Sequence, residues 1–204
     1  MKRFFDLVFA LVIFPLILIY ILSVSIITII FYRFSPFYKQ ERIGKDGKRL
    51  ICYKIQAMRP PQSEAEVNDK KLDQLRLTQF GRWLRIHGLD EIPQIANIIL
   101  GQMSFIGPRP LLEKNIRQIE DENQEYSNLI KKWEVERSKV RPGLSGWHQI
   151  HSLGPRIVKY DLEYLSRPMV GKQIKIFFAS VIILLIGKKL YFKQDPNKVG
   201  PASM

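Results

Sequence analysis

Cysteine is nearly missing. Cys52 is the only one in 204 residues, so no disulfide can form within the chain, as suits a reducing compartment. Histidine is scarce too: His87, His148 and His151 show no metal-ligand spacing, which leaves them structural or solvent-facing rather than a zinc centre or a base. Acid is outnumbered by base, 19 Asp and Glu against 32 Lys and Arg, for a formal charge of +13. That excess suits nucleic acid, anionic lipid or a phosphate-bearing substrate. No recognition-helix, zinc or stacking-platform motif accompanies it, so no nucleic-acid partner is expected. Charge is almost absent from residues 4–32, where Asp6 is the only carboxylate or base. The length suits one domain with a real core. An apolar start before a polar, basic remainder points to a membrane-attached protein with a cytosolic globular part.

As a helix, residues 4–32 would run roughly 43 Å, longer than the ~30 Å hydrocarbon core. Lys2 and Arg3 would suit a secretory signal, but the run is too long and no small-x-small cleavage site follows. A single tilted span is one remaining reading. Against it stands Pro15, which removes a helical hydrogen bond. The flanking charge also opposes it: Lys2 and Arg3 precede the segment, and Arg33, Lys39, Arg42, Lys45, Lys48 and Arg49 follow. The positive-inside rule puts both ends in the cytosol. A helix–break–helix hairpin in one leaflet meets that demand, with Ser23 or Ser25 partnering backbone groups freed at the break. On these residues both topologies stand.

Residues 36–38 begin an extended region, and Gly44-Lys45-Asp46-Gly47 turns it back into residues 50–54, a β-hairpin. Residues 60–71, with Pro60-Pro61, read as a mobile loop. Residues 72–86 interleave Leu72, Leu75, Phe80, Trp83 and Leu84 with Arg76, Arg82 and Arg85, an amphipathic helix for a membrane interface or the core. Residues 111–140 are charged and helix-prone with Trp133 as anchor, and 141–146 are turn-rich. Residues 174–186 are apolar but for Lys175 and are stopped by Gly187-Lys188-Lys189. They are too short to span and make an interfacial or core helix. The expected fold is an α-rich α+β type, a single compact domain with a small β-hairpin and amphipathic interfacial helices.

Asp90-Glu91-Ile92-Pro93 opens a helix that runs to Leu100 and stops at Gly101, with Ile92, Ile95, Ala96 and Ile99 on one face. The two carboxylates sit at its N-terminus, where free N–H groups and the helix dipole favour negative charge. Carboxylates there are either helix caps or the holders of chemistry. In Gly107-Pro108-Arg109-Pro110 the prolines hold the backbone on both sides of Arg109. That makes a phosphate clamp or a structural arginine in a tight loop.

Three segments occur in order: Leu89-Asp90-Glu91-Ile92-Pro93-Gln94, then Gly101-Gln102-Met103-Ser104-Phe105-Ile106-Gly107-Pro108-Arg109-Pro110, then Val140-Arg141-Pro142-Gly143-Leu144-Ser145-Gly146-Trp147. With Lys2-Arg3-Phe4-Phe5-Asp6, Gln40-Glu41-Arg42-Ile43-Gly44, Tyr53-Lys54 and Leu77-Thr78-Gln79-Phe80-Gly81-Arg82, they closely resemble the bacterial sugar transferase family. These are the monotopic polyprenyl-phosphate phosphoglycosyl transferases, and the match is to their minimal catalytic unit. The resemblance implies an enzyme that moves a phosphosugar from a UDP-sugar to polyprenyl (undecaprenyl) phosphate and releases UMP. It implies a covalent aspartyl-phosphosugar intermediate and the first membrane step of bacterial glycoconjugate synthesis.

Carried onto this chain, the resemblance makes Asp90 the nucleophile and Glu91 the ligand of a Mg²⁺ ion. It brings Arg109, Lys54, Arg85 and Asp161 to the site, with Arg141 a weaker phosphate contact. It further implies a re-entrant membrane helix over residues 1–35, breaking near Pro15. A catalytic domain with a C-terminal amphipathic helix would follow over 36–204, on phospholipid at the cytosolic face of the bacterial inner membrane. The chemistry is consistent. A carboxylate attacks phosphorus only when the phosphoryl group is neutralised and held in line, and Mg²⁺ binds through few carboxylates plus substrate phosphates. The chain also departs from the family pattern. Pro15 stands about a turn early, after Phe14 rather than a serine. Gln102 replaces an acidic residue, and Ile55 and Gln56 replace basic or aromatic ones. The departures at Gln102, Ile55 and Gln56 bear on nucleotide or sugar preference, not on the reaction, because Asp90-Glu91 and Gly107–Pro110 are intact. The rival reading is a non-catalytic family member or lipid-binding adaptor on the membrane.

Overall fold

The computed structural model describes residues 2–63, 70–122, 127–151, 157–167 and 170–193. Part of the expected 60–71 loop and parts of 111–140 lie outside them. Helix α1 (Lys2–Ile27) is almost wholly apolar and runs through Pro15 without interruption. A π-helical turn, Thr28–Tyr32, extends it until Arg33 takes a left-handed conformation (φ 55°) and ends it. Together they form the one helix among the described residues long and apolar enough to cross a membrane.

The expected break at Pro15 is absent from the helical structure, and the packing shows why. Ala10, Ile17 and Val24, spaced by seven, are buried against the rest of the protein on both sides of the proline. Ser23 Oγ donates to Ile19 O within the helix (2.9 Å) rather than to backbone freed at a break.

The start of α1 is pinned by polar contacts. Lys2 Nζ donates to Ile106 O (2.6 Å), and the Arg3 guanidinium donates to Ile98 O and to Ile99 O (2.8 Å). The Asp6 carboxylate, itself buried, accepts from Ser104 Oγ (2.8 Å) and from the Phe105 N–H (3.2 Å). At the other end Tyr20 Oη donates to Leu89 O (2.9 Å), and the Tyr32 ring stacks on Phe80 (centroids 6.3 Å apart). Both ends of a 31-residue apolar helix therefore meet the same body. Of its outward side chains Val12, Leu16 and Phe31 are 69–75% exposed, part of an apolar face large enough to mark an interaction surface.

The hairpin forms as the turn signals require. β1 (Phe37–Ile43) pairs antiparallel with β2 (Arg49–Ile55), and Asp46 and Gly47 supply the positive φ the turn needs. The helix expected over 72–86 is two helices, α2 (Lys70–Arg76) and α3 (Gln79–His87). They divide because Leu77 bridges to Met58 and the Thr78 hydroxyl caps a new helix by accepting from the Gly81 N–H (2.8 Å). Leu75 accordingly lies outside any packed stripe, 79% exposed.

A 3₁₀ turn, Leu89–Gln94, leads into α4 (Ile95–Ile99). β3 (Ser104–Ile106) then pairs in parallel with β4 (Gly143–Ser145), a contact not legible in the turn-rich sequence. The remaining helices are α5 (Glu113–Glu122), α6 (Ser127–Ser138), α7 (Trp147–His151), α8 (Ile157–Ser166), α9 (Val170–Ile186) and α10 (Lys188–Lys193). One core joins α1, β2 and α4 through Ala10, Ile17, Cys52, Ile95 and Ile98. A second joins α7, α8 and α9, and a third gathers Leu111, Ile130, Trp133 and Ile157.

Candidate active site

Gly88, at φ 73°, ends α3 and swings the chain into the 3₁₀ turn that carries Asp90 and Glu91. Ile92, Ile95 and Ile99 of the expected apolar face pack on the first core, and Ala96 alone of that face points out to solvent. The tighter turn adds Glu91 and Gln94, three residues apart, to the inward positions. No side chain caps this turn, so neither carboxylate plays the capping role open to it.

Glu91 is buried and held by two cations. Arg109 grips it bidentately, Nη2 to Oε1 at 2.5 Å and Nη1 to Oε2 at 3.2 Å. Lys54 Nζ, from β2, donates to Oε1 at 2.8 Å. Burial alone would raise the Glu91 carboxyl, but Arg109 and Lys54 outweigh it and hold the group well below the usual carboxylate range. The Arg109 loop is itself fixed. Pro108 O accepts from the Gly143 N–H (2.8 Å), Arg109 O from Arg137 Nη2 (2.9 Å), and Pro110 O from Arg42 Nη1 (3.2 Å). Glycine is required where this loop meets β4, since a Cβ on Gly143 would lie 2.1 Å from the Gly107 nitrogen.

Asp90 contrasts with its neighbour. It is half-buried, and among the described residues nothing hydrogen-bonds or ion-pairs its side chain. Burial and the adjacent Glu91 charge raise its carboxyl, while Lys54, Lys188 and Arg85 draw it back. A more basic carboxylate is a better nucleophile, and the three cations favour its ionised form.

The other expected residues divide. Arg85 lies against Met58 Sδ (3.4 Å) and within electrostatic reach of Asp90. Arg141 does not join the cluster: its Nε donates to Gly101 O (2.7 Å) at the far end of α4, where a cation answers the helix C-terminus. Asp161 is buried in the third core and accepts from Trp133 Nε1 (3.1 Å). It reaches the site only through Arg137, whose charge it favours and which holds Arg109 O. Gln102 Oε1 accepts from Asn97 Nδ2 (2.7 Å), and Gln56 Nε2 donates to Met58 O (2.8 Å). Gln56 thus holds backbone, and Gln102 holds the Asn97 side chain, which itself donates to Ile51 O (2.7 Å).

Lys188 is the residue the sequence hid. There it marks the stop of an apolar helix. In the structure Gly187 (φ 80°) turns the chain at the end of α9, and the Lys188 side chain comes to Gly88, 4.0 Å from where a Cβ would stand. Burial lowers its ammonium, and Glu91 is the largest influence in the other direction. The available signal was a glycine elbow followed by a cation, a pattern too common to single out.

Two carboxylates, one locked and one free, thus sit among four cations beside a membrane-type helix. A group of that charge balance can hold a phosphate-bearing anion. Residues 1–187 match the model of the family described as bacterial sugar transferase, and the chain belongs to that family. It is 32% identical over 163 residues to the UDP-glucose:undecaprenyl-phosphate glucose-1-phosphate transferase of Escherichia coli, which covers 76% of this chain and 33% of that protein. It is 33% identical over 171 residues to the uncharacterized sugar transferase EpsL of Bacillus subtilis, 81% of this chain and 76% of that one. It is 27% identical over 193 residues to a UDP-N-acetylgalactosamine-undecaprenyl-phosphate N-acetylgalactosaminephosphotransferase of Aeromonas hydrophila, 91% of this chain and 44% of that one. The chain spans about a third of the length of the glucose-1-phosphate transferases it matches.

Proposed function

We propose that the chain is a phosphoglycosyl transferase that passes a sugar phosphate from a UDP-sugar to a polyprenyl phosphate through Asp90. In the first step an Asp90 carboxylate oxygen bonds to the phosphorus that carries the sugar. The bond from that phosphorus to the bridging oxygen breaks, and UMP leaves with the electron pair. In the second step a phosphate oxygen of the polyprenyl phosphate bonds to the same phosphorus. Asp90 departs as a carboxylate, and the product is a polyprenyl-diphosphosugar. Because the steps are separate, two anionic substrates never meet at one phosphorus.

The observation that carries this reading is the contrast within one dipeptide. Glu91 is neutralised by Arg109 and Lys54, so it is a poor nucleophile, whereas Asp90 is free to attack. Lys54, Arg85 and Arg109 would balance charge gathering on the phosphoryl oxygens. The residues also fit a Mg²⁺ ion. Glu91 Oε2 accepts a single hydrogen bond and keeps a lone pair, and Mg²⁺ takes few protein carboxylates, completing its shell with water and substrate phosphates. Glu91 would hold it, and when bound the ion would neutralise the diphosphate.

The test is labelling of the purified protein by UDP-sugar radiolabelled in the sugar, with Mg²⁺ and without acceptor. Label is expected on the wild type and absent from Asp90→Asn. UMP release that survives in Asp90→Asn would overturn the mechanism, and a wild type that neither takes label nor releases UMP would favour the non-catalytic adaptor. A panel of UDP-sugars in the same assay identifies the sugar.

The two pinned ends of α1 support a monotopic placement, the helix dipping into one leaflet of the inner membrane from the cytosolic face. In Cys52→Ala protein, cysteines introduced as Lys2→Cys and Arg33→Cys are expected to label from the cytosolic side alone. Labelling from opposite sides would exclude this topology.

A further inference from the structure

A cavity of about 320 Å³ lies between α1 and α9, walled by Phe9, Ile13 and Ile17 from one and Phe177, Val181 and Leu184 from the other. Among the described residues its only charged lining groups are Glu91 and Lys188. Both flanking helices turn their other faces outward as apolar surface, Leu16 and Ile19 on α1 and Phe178 and Leu185 on α9. The cavity therefore begins among lipid-facing helices and ends in the charged site.

Lys188 sets its polarity. The neighbouring cations Arg109 and Lys54 each ion-pair with Glu91 and, in the transferase reading, lie on the side of the sugar-bearing phosphorus. Among the described residues Lys188 has no hydrogen bond or ion pair, yet burial already disfavours its charge. A partly buried, unpartnered ammonium is costly unless an anion joins it. The mainly apolar walls offer a nucleotide or sugar few partners, since Ser145 and Ser180 are bonded to each other and only His87 and Gln149 add neutral polar side chains among the described residues. What fits is a molecule apolar along its length and anionic at one end, able to bring that anion to Asp90.

We propose that this cavity seats the phosphate-proximal isoprene units of the acceptor lipid, with Lys188 binding the acceptor's phosphate. The inference rests on the transferase reading above and adds a place for its second substrate. An ordinary phospholipid shares the apolar tail and the phosphate, but only the acceptor has to deliver a phosphate oxygen to the phosphorus carried by Asp90, the carboxylate to which Lys188 is electrostatically coupled.

The test uses the full chain in detergent with a prenyl phosphate carrying a photoreactive group beside its phosphate. Crosslinks are expected within residues 9–17 and 177–184, competed by unlabelled polyprenyl phosphate and not by phosphatidylglycerol. Leu184→Trp, which fills the cavity, should lower that crosslinking. Lys188→Met should raise KM for the acceptor about tenfold more than KM for the UDP-sugar, the worth of one charged hydrogen bond, and Lys188→Arg should restore most of it. Crosslinks elsewhere, equal competition by phosphatidylglycerol, or a Lys188→Met effect as large on the UDP-sugar as on the acceptor would each overturn the proposal. Failure of the transferase reading itself is distinct, because the wild type would then take no label from UDP-sugar.

Discussion

Glu91 and Asp161 are both buried carboxylates, yet their surroundings drive them in opposite directions. Burial pushes each upward. At Glu91 two cations in direct contact reverse the push, whereas Asp161 has only the Trp133 N–H and the charge of Arg137, and its carboxyl rises to about 6. The difference teaches that distance to a cation, not burial, decides which buried acid stays charged. Lys54 comes from β2 and Arg109 from the loop after β3, so tertiary contacts assemble the Glu91 site.

The largest break in this comparison comes from Arg109→Met. It strips Glu91 of its bidentate partner and leaves a buried carboxylate with Lys54 alone, which is expected to cost about 3 kcal/mol. Urea unfolding in detergent measures it. Arg109→Lys restores the charge without the fork and should recover part of the loss.

Asp161→Asn sharpens the other side. Because the folded Asp161 carboxyl sits at about 6 against a reference of 3.8, the folded state holds the proton more tightly. Its contribution is fully present below about pH 4 and is lost as pH rises through 6. The variant should gain stability on the wild type across that window, by on the order of 2–3 kcal/mol, then run parallel above it. Thermal unfolding from pH 4 to 8 checks this, and parallel curves throughout would contradict it. The smallest effect belongs to Asp90→Asn. With no partner to lose and less repulsion from Glu91, it should unfold within about 0.5 kcal/mol of the wild type or slightly later.

Much of this was legible from residue order, for reasons that differ by element. The hairpin announced itself because its turn needs positive φ and contains Gly47. The carboxylate pair and the Arg109 loop were legible as motifs, since prolines and glycines mark backbone that has to be held in one shape. Other features depend on contacts no local pattern encodes. Pro15 stays inside a helix because packing on both sides holds it. The three-residue strands β3 and β4 exist only because Gly107 and Gly143 let two backbones meet. Arg141 looked like a site cation and instead answers the end of α4, while Lys188 reaches the site because the Gly187 elbow packs against Ile86 and His87, just before Gly88.

The Asp6 carboxylate bears on how the protein is made. Its partners, Ser104 and Phe105, lie 98 and 99 residues further along the chain. On the ribosome α1 therefore emerges as a bare apolar segment long before the backbone that anchors its first turn exists. Through that interval its apolar side chains lack the protein partners they later pack against. Synthesis of the β3 segment is then the moment at which the helix gains its anchor and becomes a wall of the protein.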